Sequence, residues 1–232
     1  MNARDRLVVA LDVPTPAEAT ALVERLAGLV GMFKVGSQLF TAAGPDVVRG
    51  LVGRGEKVFL DLKYHDIPNT VAGAVSAACR LGVSLVDVHA LGGKAMMEAA
   101  AGAMPAMGTR LVAITVLTSH DAAGLAELGL PADPPASVRR LALLAHAAQL
   151  DGVVASPQEV PIIREACGTD FLVVTPGIRP AGAKAGDQAR AATPAAALAA
   201  GADLLVVGRP ITEADDPAAA ARAILREMEG AG

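Results

Sequence analysis

The apolar positions of this chain fall into two alternating patterns. Short runs rich in Val and Leu recur, beginning with "RLVVALDV", "MFKVG", "KVFLDLK" and "LVDVHAL" and continuing through "RLVAITVLT", "GVVAS", "FLVVTPGI" and "LLVVGRPI". Each reads as a buried strand. Between them lie Ala-rich amphipathic stretches such as "PAEATALVERLAGLV", "GPDVVRGLVGRG" and "SVRRLALLAHAAQL", which read as helices. Near-continuous apolar strands, each followed by a helix, predict a parallel sheet covered on its outer face. Eight such units in 232 residues fit an α/β fold of the (β/α)8 TIM-barrel type, one domain spanning residues 1–232. An open doubly wound sheet is the competitor. It would favour a Gly-rich first turn, and the first strand instead runs into "LDVPTP" with no GxGxxG. No stretch is wide enough to separate domains. The loops "LPADPPAS" and "RPAGAKAGDQARAATP" are long for a compact barrel, and such loops are usually functional or mobile.

Composition narrows the function classes. The chain is 53% hydrophobic, and its mean hydropathy of +0.44 looks membrane-like at first. Charges interrupt every apolar run well before the ~20 residues a span needs, and the excess is mostly alanine. No signal-peptide pattern precedes the first strand, so a soluble cytoplasmic protein is expected, without a membrane partner. The net charge of -4, with no basic block, and an aromatic content of 2% argue against a nucleic-acid partner. Cys79 and Cys167 form neither a CxxC pair nor a cluster, and both are expected to be buried thiols. The four histidines have no metal-ligand spacing, so no metal site is expected.

In a barrel the active site forms at the C-terminal ends of the strands. Those ends carry Asp12, Lys34, Asp61 with Lys63, His89, Thr118, Ser156, Arg179 and Arg209. Lys and Asp are almost never fully buried unless paired. On the third strand, alternation sends Leu60 and Leu62 toward the helices and Asp61 and Lys63 toward the barrel mouth. The plain interpretation is a salt bridge closing the barrel. Asp66 three residues on and Lys34 on the neighbouring strand suggest more. Alternating Lys and Asp charges would fix one another's protonation and hold a lysine ready to donate a proton.

The eighth strand ends in "VVGRPIT", where Gly208 permits close backbone approach and Arg209 offers a planar donor fork. Arg179 on the seventh strand and Gln188 in the following loop join them, at the place where many barrels bind phosphate. An ordinary Gly-Arg-Pro turn is the structural alternative. His65 faces solvent or caps the next helix, His89 reads as a hydrogen-bonded mouth histidine, and His120 and His146 read as loop and helix-surface residues. Asn69 or Thr70 serves as an N-cap, or Thr70 contacts ligand.

The stretch "FLDLKYHDIPNT" closely resembles the characteristic segment of the orotidine 5'-phosphate decarboxylase family. "VALDV", "KVGSQLFTAAGP", "VHALGG", "TVLTS", "TPGIRP", "GDQAR" and "VVGRPIT" follow that family's order from about Leu7 to Ile211. The resemblance implies conversion of orotidine 5'-monophosphate to UMP and CO2 in pyrimidine biosynthesis. Lys63 would protonate C6 as CO2 leaves, with Asp61, Asp66 and Lys34 completing the catalytic network. Asp12 and Lys34 would hold the ribose hydroxyls, Thr118 the pyrimidine edge, and Arg179, Gln188, Gly208 and Arg209 the phosphate. Residues 179–190 would form a mobile lid over that phosphate. Asp66, Ile67 and Thr70 would reach into a neighbouring subunit's site, which implies a homodimer with shared active sites. The family uses no cofactor or metal. Two departures, Gln38 after "KVG" and the alanines of "QARAATP", touch no matched catalytic position. Related phosphosugar enzymes, ketogulonate-phosphate decarboxylases and hexulose-phosphate synthases, resemble the chain in Asp-x-Lys-x-x-Asp but use Mg2+ with an acidic ligand where Lys34 stands. A non-catalytic barrel that binds nucleotide phosphates is the remaining alternative.

Overall fold

A computed structural model describes residues 1–106, 108–180 and 190–230. Eight strands close into a parallel barrel. They are β1 (Leu7–Ala10), β2 (Met32–Gly36), β3 (Val58–Tyr64), β4 (Leu85–His89), β5 (Arg110–Ile114), β6 (Gly152–Val154), β7 (Leu172–Thr175) and β8 (Leu204–Val207). All eight coincide with the apolar runs. Closure is direct, because Leu7 of β1 pairs with Leu205 of β8, and this excludes the open sheet.

Parallel strands buried on both faces need two apolar layers, and both are present. Val8, Met32, Phe59, Leu85, Ile114, Val174 and Val206 fill the barrel interior. The alternate residues, such as Val9, Phe33, Leu60, Val86 and Val173, pack outward against the helices. Four of those helices begin alike. Thr15, Asp133, Thr193 and Asp216 each accept a backbone N–H at the N-cap, and a proline follows at the first helical position. The side chain satisfies an orphan donor, and the proline sacrifices an N–H that had no partner.

The strands stop earlier than the apolar runs, which moves several candidates onto loops. Asp12 lies beyond β1, Thr118 beyond β5 and Arg179 beyond β7, while Arg209 opens a short helix, Arg209–Thr212. Strand β3 also departs from simple alternation. Leu60 pairs with Val86 and Tyr64 with Val88, so three residues of β3 stand opposite the single residue Asp87. At this bulge Lys63 takes a left-handed backbone, φ 52°. Leu62 and Tyr64 still pack toward the helices and Lys63 toward the mouth.

One ion pair lies deep between the loops. Arg190 is 7% exposed and Glu159 2% exposed. Arg190 Nη1 donates to Glu159 Oε1 at 2.5 Å, and Nη2 donates to the Leu117 carbonyl at 2.9 Å. Cys79 and Cys167 are free thiols but only half-buried, less enclosed than expected. Among the described residues, no helix is long and apolar enough to cross a membrane.

Candidate active site

A cavity of about 610 Å³ opens at the C-terminal ends of the strands. Asp12, Lys34, Asp61 and Lys63 line one part of it, and Thr118, Arg179, Gly208 and Arg209 line the rest. Eight residues far apart in sequence, each expected at the site, thus share one space. Its floor is apolar, built from Ala10, Phe59, Ile114, Val154 and Val206.

The charges run along consecutive strands. Lys34 Nζ lies 3.0 Å from Asp12 Oδ1 and 3.1 Å from Asp61 Oδ2. Lys63 Nζ donates to the other oxygen of Asp61. Lys34 and Asp61 are buried, whereas the Lys63 side chain is 37% exposed to the cavity. Burial alone would pull the Lys34 ammonium down, but Asp61 and then Asp12 more than reverse this and hold it above its ordinary value. Burial likewise pushes the Asp61 carboxyl up. Lys34, a hydrogen bond from Asp87 and Lys63 together hold it well below the usual carboxylate range. Asp61 is therefore a fixed negative charge with a cation on each oxygen.

This arrangement needs a glycine that no sequence pattern singles out. A Cβ added at Gly36 would come within 2.9 Å of Lys34 Nζ and 3.0 Å of Asp12 Oδ1. Gly36 leaves the space in which the lysine bridges the two carboxylates.

The chain has named relatives over nearly its full length. The family model described as "Orotidine 5'-phosphate decarboxylase / HUMPS family" matches residues 5–224. The chain belongs to this family. A protein of Halorhodospira halophila named orotidine 5'-phosphate decarboxylase is 61% identical over 98% of this chain and 97% of its own length. One of the same name from Moorella thermoacetica is 56% identical over 99% and 94%. The crystal structure of orotidine 5'-phosphate decarboxylase from Lactobacillus acidophilus superposes with a TM-score of 0.83 at 40% identity, covering 96% of this chain and 98% of that one.

Within this decarboxylase-family barrel, the cationic end of the cavity lies after β7 and β8. Burial pushes the Arg179 guanidinium down, and the like charge of Arg209 adds to this, with Glu213 offsetting part of it. Two guanidiniums sharing one cavity wall favour an anion. Gln188 lies outside the described residues, as does the stretch 181–189 of the expected lid.

The remaining candidates do not join this cavity within one chain. Asp66 is exposed, and its Oδ1 accepts from the Ile67 N–H at 2.6 Å. Ile67 is 66% exposed, and Thr70 is exposed on the helix Pro68–Cys79. That helix has Ile67 at its N-cap, without a side-chain cap, so neither Asn69 nor Thr70 plays that part. His65 is exposed and stacks on His89, their ring centroids 5.4 Å apart. His89 Nδ1 accepts from the Leu91 N–H at 3.3 Å. Burial, aided by the charges of His65, Lys63 and His120, lowers His89 to about 4. Ser156 is buried and caps the turn Pro157–Glu159 instead of facing ligand. His146 meets Phe171 edge-on from an exposed helix position.

Proposed function

We propose that this chain converts orotidine 5'-monophosphate to UMP and CO2, with Lys63 as the proton donor. One observation carries the proposal: the Lys34–Asp61–Lys63 chain of charges lines the same cavity as Arg179 and Arg209. The arginines, Gly208 and Gln188 bind the phosphate. Asp12 and Lys34 take the ribose hydroxyls, and Thr118 meets the pyrimidine edge. The substrate carboxylate then lies beside the fixed negative charge of Asp61. Its repulsion falls when the C6–carboxylate bond breaks, because CO2 leaves uncharged and the electron pair stays on C6. Lys63 Nζ stabilises that carbanion electrostatically and gives it a proton, and water later restores the proton on Lys63. The apolar floor excludes water and strengthens these interactions.

Lys34 favours this reading over a Mg2+-dependent relative. Its ammonium fills the position where those enzymes carry an acidic ligand, and it would repel a cation there.

Asp66, Ile67 and Thr70 act on a second copy of the chain. They are exposed on one copy, and a 66%-exposed isoleucine beside a functional loop suits a covered surface. The working unit is a homodimer of single-domain barrels in the cytoplasm, with each site shared.

The deciding assay follows orotidine 5'-monophosphate turnover with and without a chelator. Turnover unchanged by chelator is expected. Loss of activity on chelation would indicate the Mg2+-dependent chemistry, and no turnover at all would leave only a phosphate-binding barrel.

A further inference from the structure

We infer that Asp87 is a positioning residue for the proton donor: its carboxyl stands in for the ladder hydrogen bond that the β3 bulge interrupts, and it orients Lys63 toward Asp61. The inference deepens the reading of Lys63 as the donor and rests on it.

The bulge creates the need. Where β3 runs three residues against one of β4, Lys63 cannot use the regular ladder. Its backbone is left-handed, a conformation that a non-glycine residue keeps only when its surroundings enforce it. The Lys63 N–H donates to Asp87 Oδ1 at 2.8 Å. Asp87 points into the barrel with Leu85 and is 0% exposed, beneath the cavity and out of contact with it. It therefore touches no substrate and can act only through its neighbours.

Its second oxygen specifies how it acts. Oδ2 is buried and receives no hydrogen bond. A buried carboxylate oxygen with no donor would be costly, but a protonated carboxyl has its own hydrogen to give. Burial, first, and then the charge and hydrogen-bonding capacity of the Asp61 carboxylate raise Asp87 well above the usual carboxylate range. A protonated Asp87 can give that hydrogen to the neighbouring Asp61 carboxylate. Lys63 is thereby tied at both ends, its N–H to Asp87 and its Nζ to Asp61. One buried acid thus holds the backbone of the lysine whose ammonium meets Asp61.

The test compares Asp87→Leu with Asp87→Asn in the full-length protein. Leucine fills similar space but offers neither hydrogen bond. It should lower kcat by ~100-fold with little change in KM, because misplacement of a reacting group affects the transition state most. Asparagine keeps an acceptor for Lys63 N–H and a donor for Asp61, and should recover most of that loss. Folded Asp87→Leu with near wild-type kcat overturns the inference, as does Asp87→Asn as impaired as Asp87→Leu. If Asp87→Leu does not fold, amide exchange on the wild-type protein decides. The Lys63 N–H should be as protected as its β3 neighbours, and exchange at the rate of an exposed loop amide overturns the inference. Wild type and Lys63→Ala run alongside. An inactive wild type or an unimpaired Lys63→Ala would refute the reaction or the donor, whereas normal controls with a fully active Asp87→Leu would refute only the part given to Asp87.

Discussion

Lys34 Nζ lies 3.1 Å from Asp61 Oδ2 in a buried setting, and this contact is the largest of those that hold Asp61 in its charged form. A buried pair broken on one side leaves an unpaired charge, which costs ~3–5 kcal/mol. Lys63, the proposed proton donor, thus meets on the other side of Asp61 a carboxylate held in its charged form.

Lys63→Ala should fold normally, since the Lys63 side chain is partly open to the cavity. It should lose at least ~10²–10⁴-fold in kcat, the usual worth of a general acid, and more once the electrostatic contribution is included. Steady-state kinetics with thermal melting as the control tests this. A variant with wild-type kcat removes Lys63 from the chemistry.

Arg209→Ala and Gln188→Ala should each lower kcat/KM for the nucleotide by roughly 10- to 150-fold, the value of a charge-assisted hydrogen bond. A substrate lacking the phosphate should hardly notice either change. Equal losses on both substrates would show that neither residue grips phosphate.

Gly36→Ala should leave the barrel intact, because the new methyl meets the tips of Lys34 and Asp12 and no backbone. It should displace the ammonium from its bridging position and reduce kcat without a matching fall in Tm. Unaltered kinetics would mean that the Lys34 bridge tolerates the shift.

The shared site can be tested by complementation. Lys63→Ala and Asp66→Ala homodimers should each be nearly inactive. In a mixed two-fold dimer one site lacks both residues and the other is whole, so random mixing should restore roughly a quarter of all sites. No recovery, with mixed dimers shown to form, would place Asp66 in its own chain's site.

His89 gives a pH signature of stability. Its folded value is lowered from 6.5 to about 4, so between those values the unfolded chain binds the extra proton. Its contribution is complete above 6.5 and is lost as pH falls toward about 4. The histidine is half-buried, so water screens part of the effect. Asp61 titrates in a separate window, because its contribution holds above 3.8 and is lost only in stronger acid. His89→Asn keeps an acceptor for the Leu91 N–H. Urea unfolding from about pH 7 to about pH 4.5 should show a shallower loss for His89→Asn than for wild type. Parallel slopes would assign the acid sensitivity to other groups.

The strands were readable because parallel strands buried on both faces leave unbroken Val/Leu runs. The mouth residues were readable for a related reason. Charges such as Asp61 and Lys34 cannot sit in an apolar run without partners, and strand ends in a barrel converge. The β3 bulge left no such mark, since no glycine or proline announces it and a lysine takes the left-handed backbone. Asp87 shares its face with Leu85 and His89, so its mid-strand acid was the available clue, but its partner Lys63 N–H is a backbone group that sequence cannot display. Gly36 matters only through the space between two side chains that meet in three dimensions. Asp66, Ile67 and Thr70 lie outside the single-chain cavity, as residues proposed to act on a second copy would.

The buried pair between Arg190 and Glu159 has an evolutionary consequence. Either residue changed alone leaves a stranded charge, at ~3–5 kcal/mol, a large part of the roughly 5–15 kcal/mol that keeps a typical domain folded. Both changed together to apolar residues of similar bulk can be neutral. Single-step drift is therefore blocked at these two positions, and descendants of this sequence will either keep both residues or exchange both.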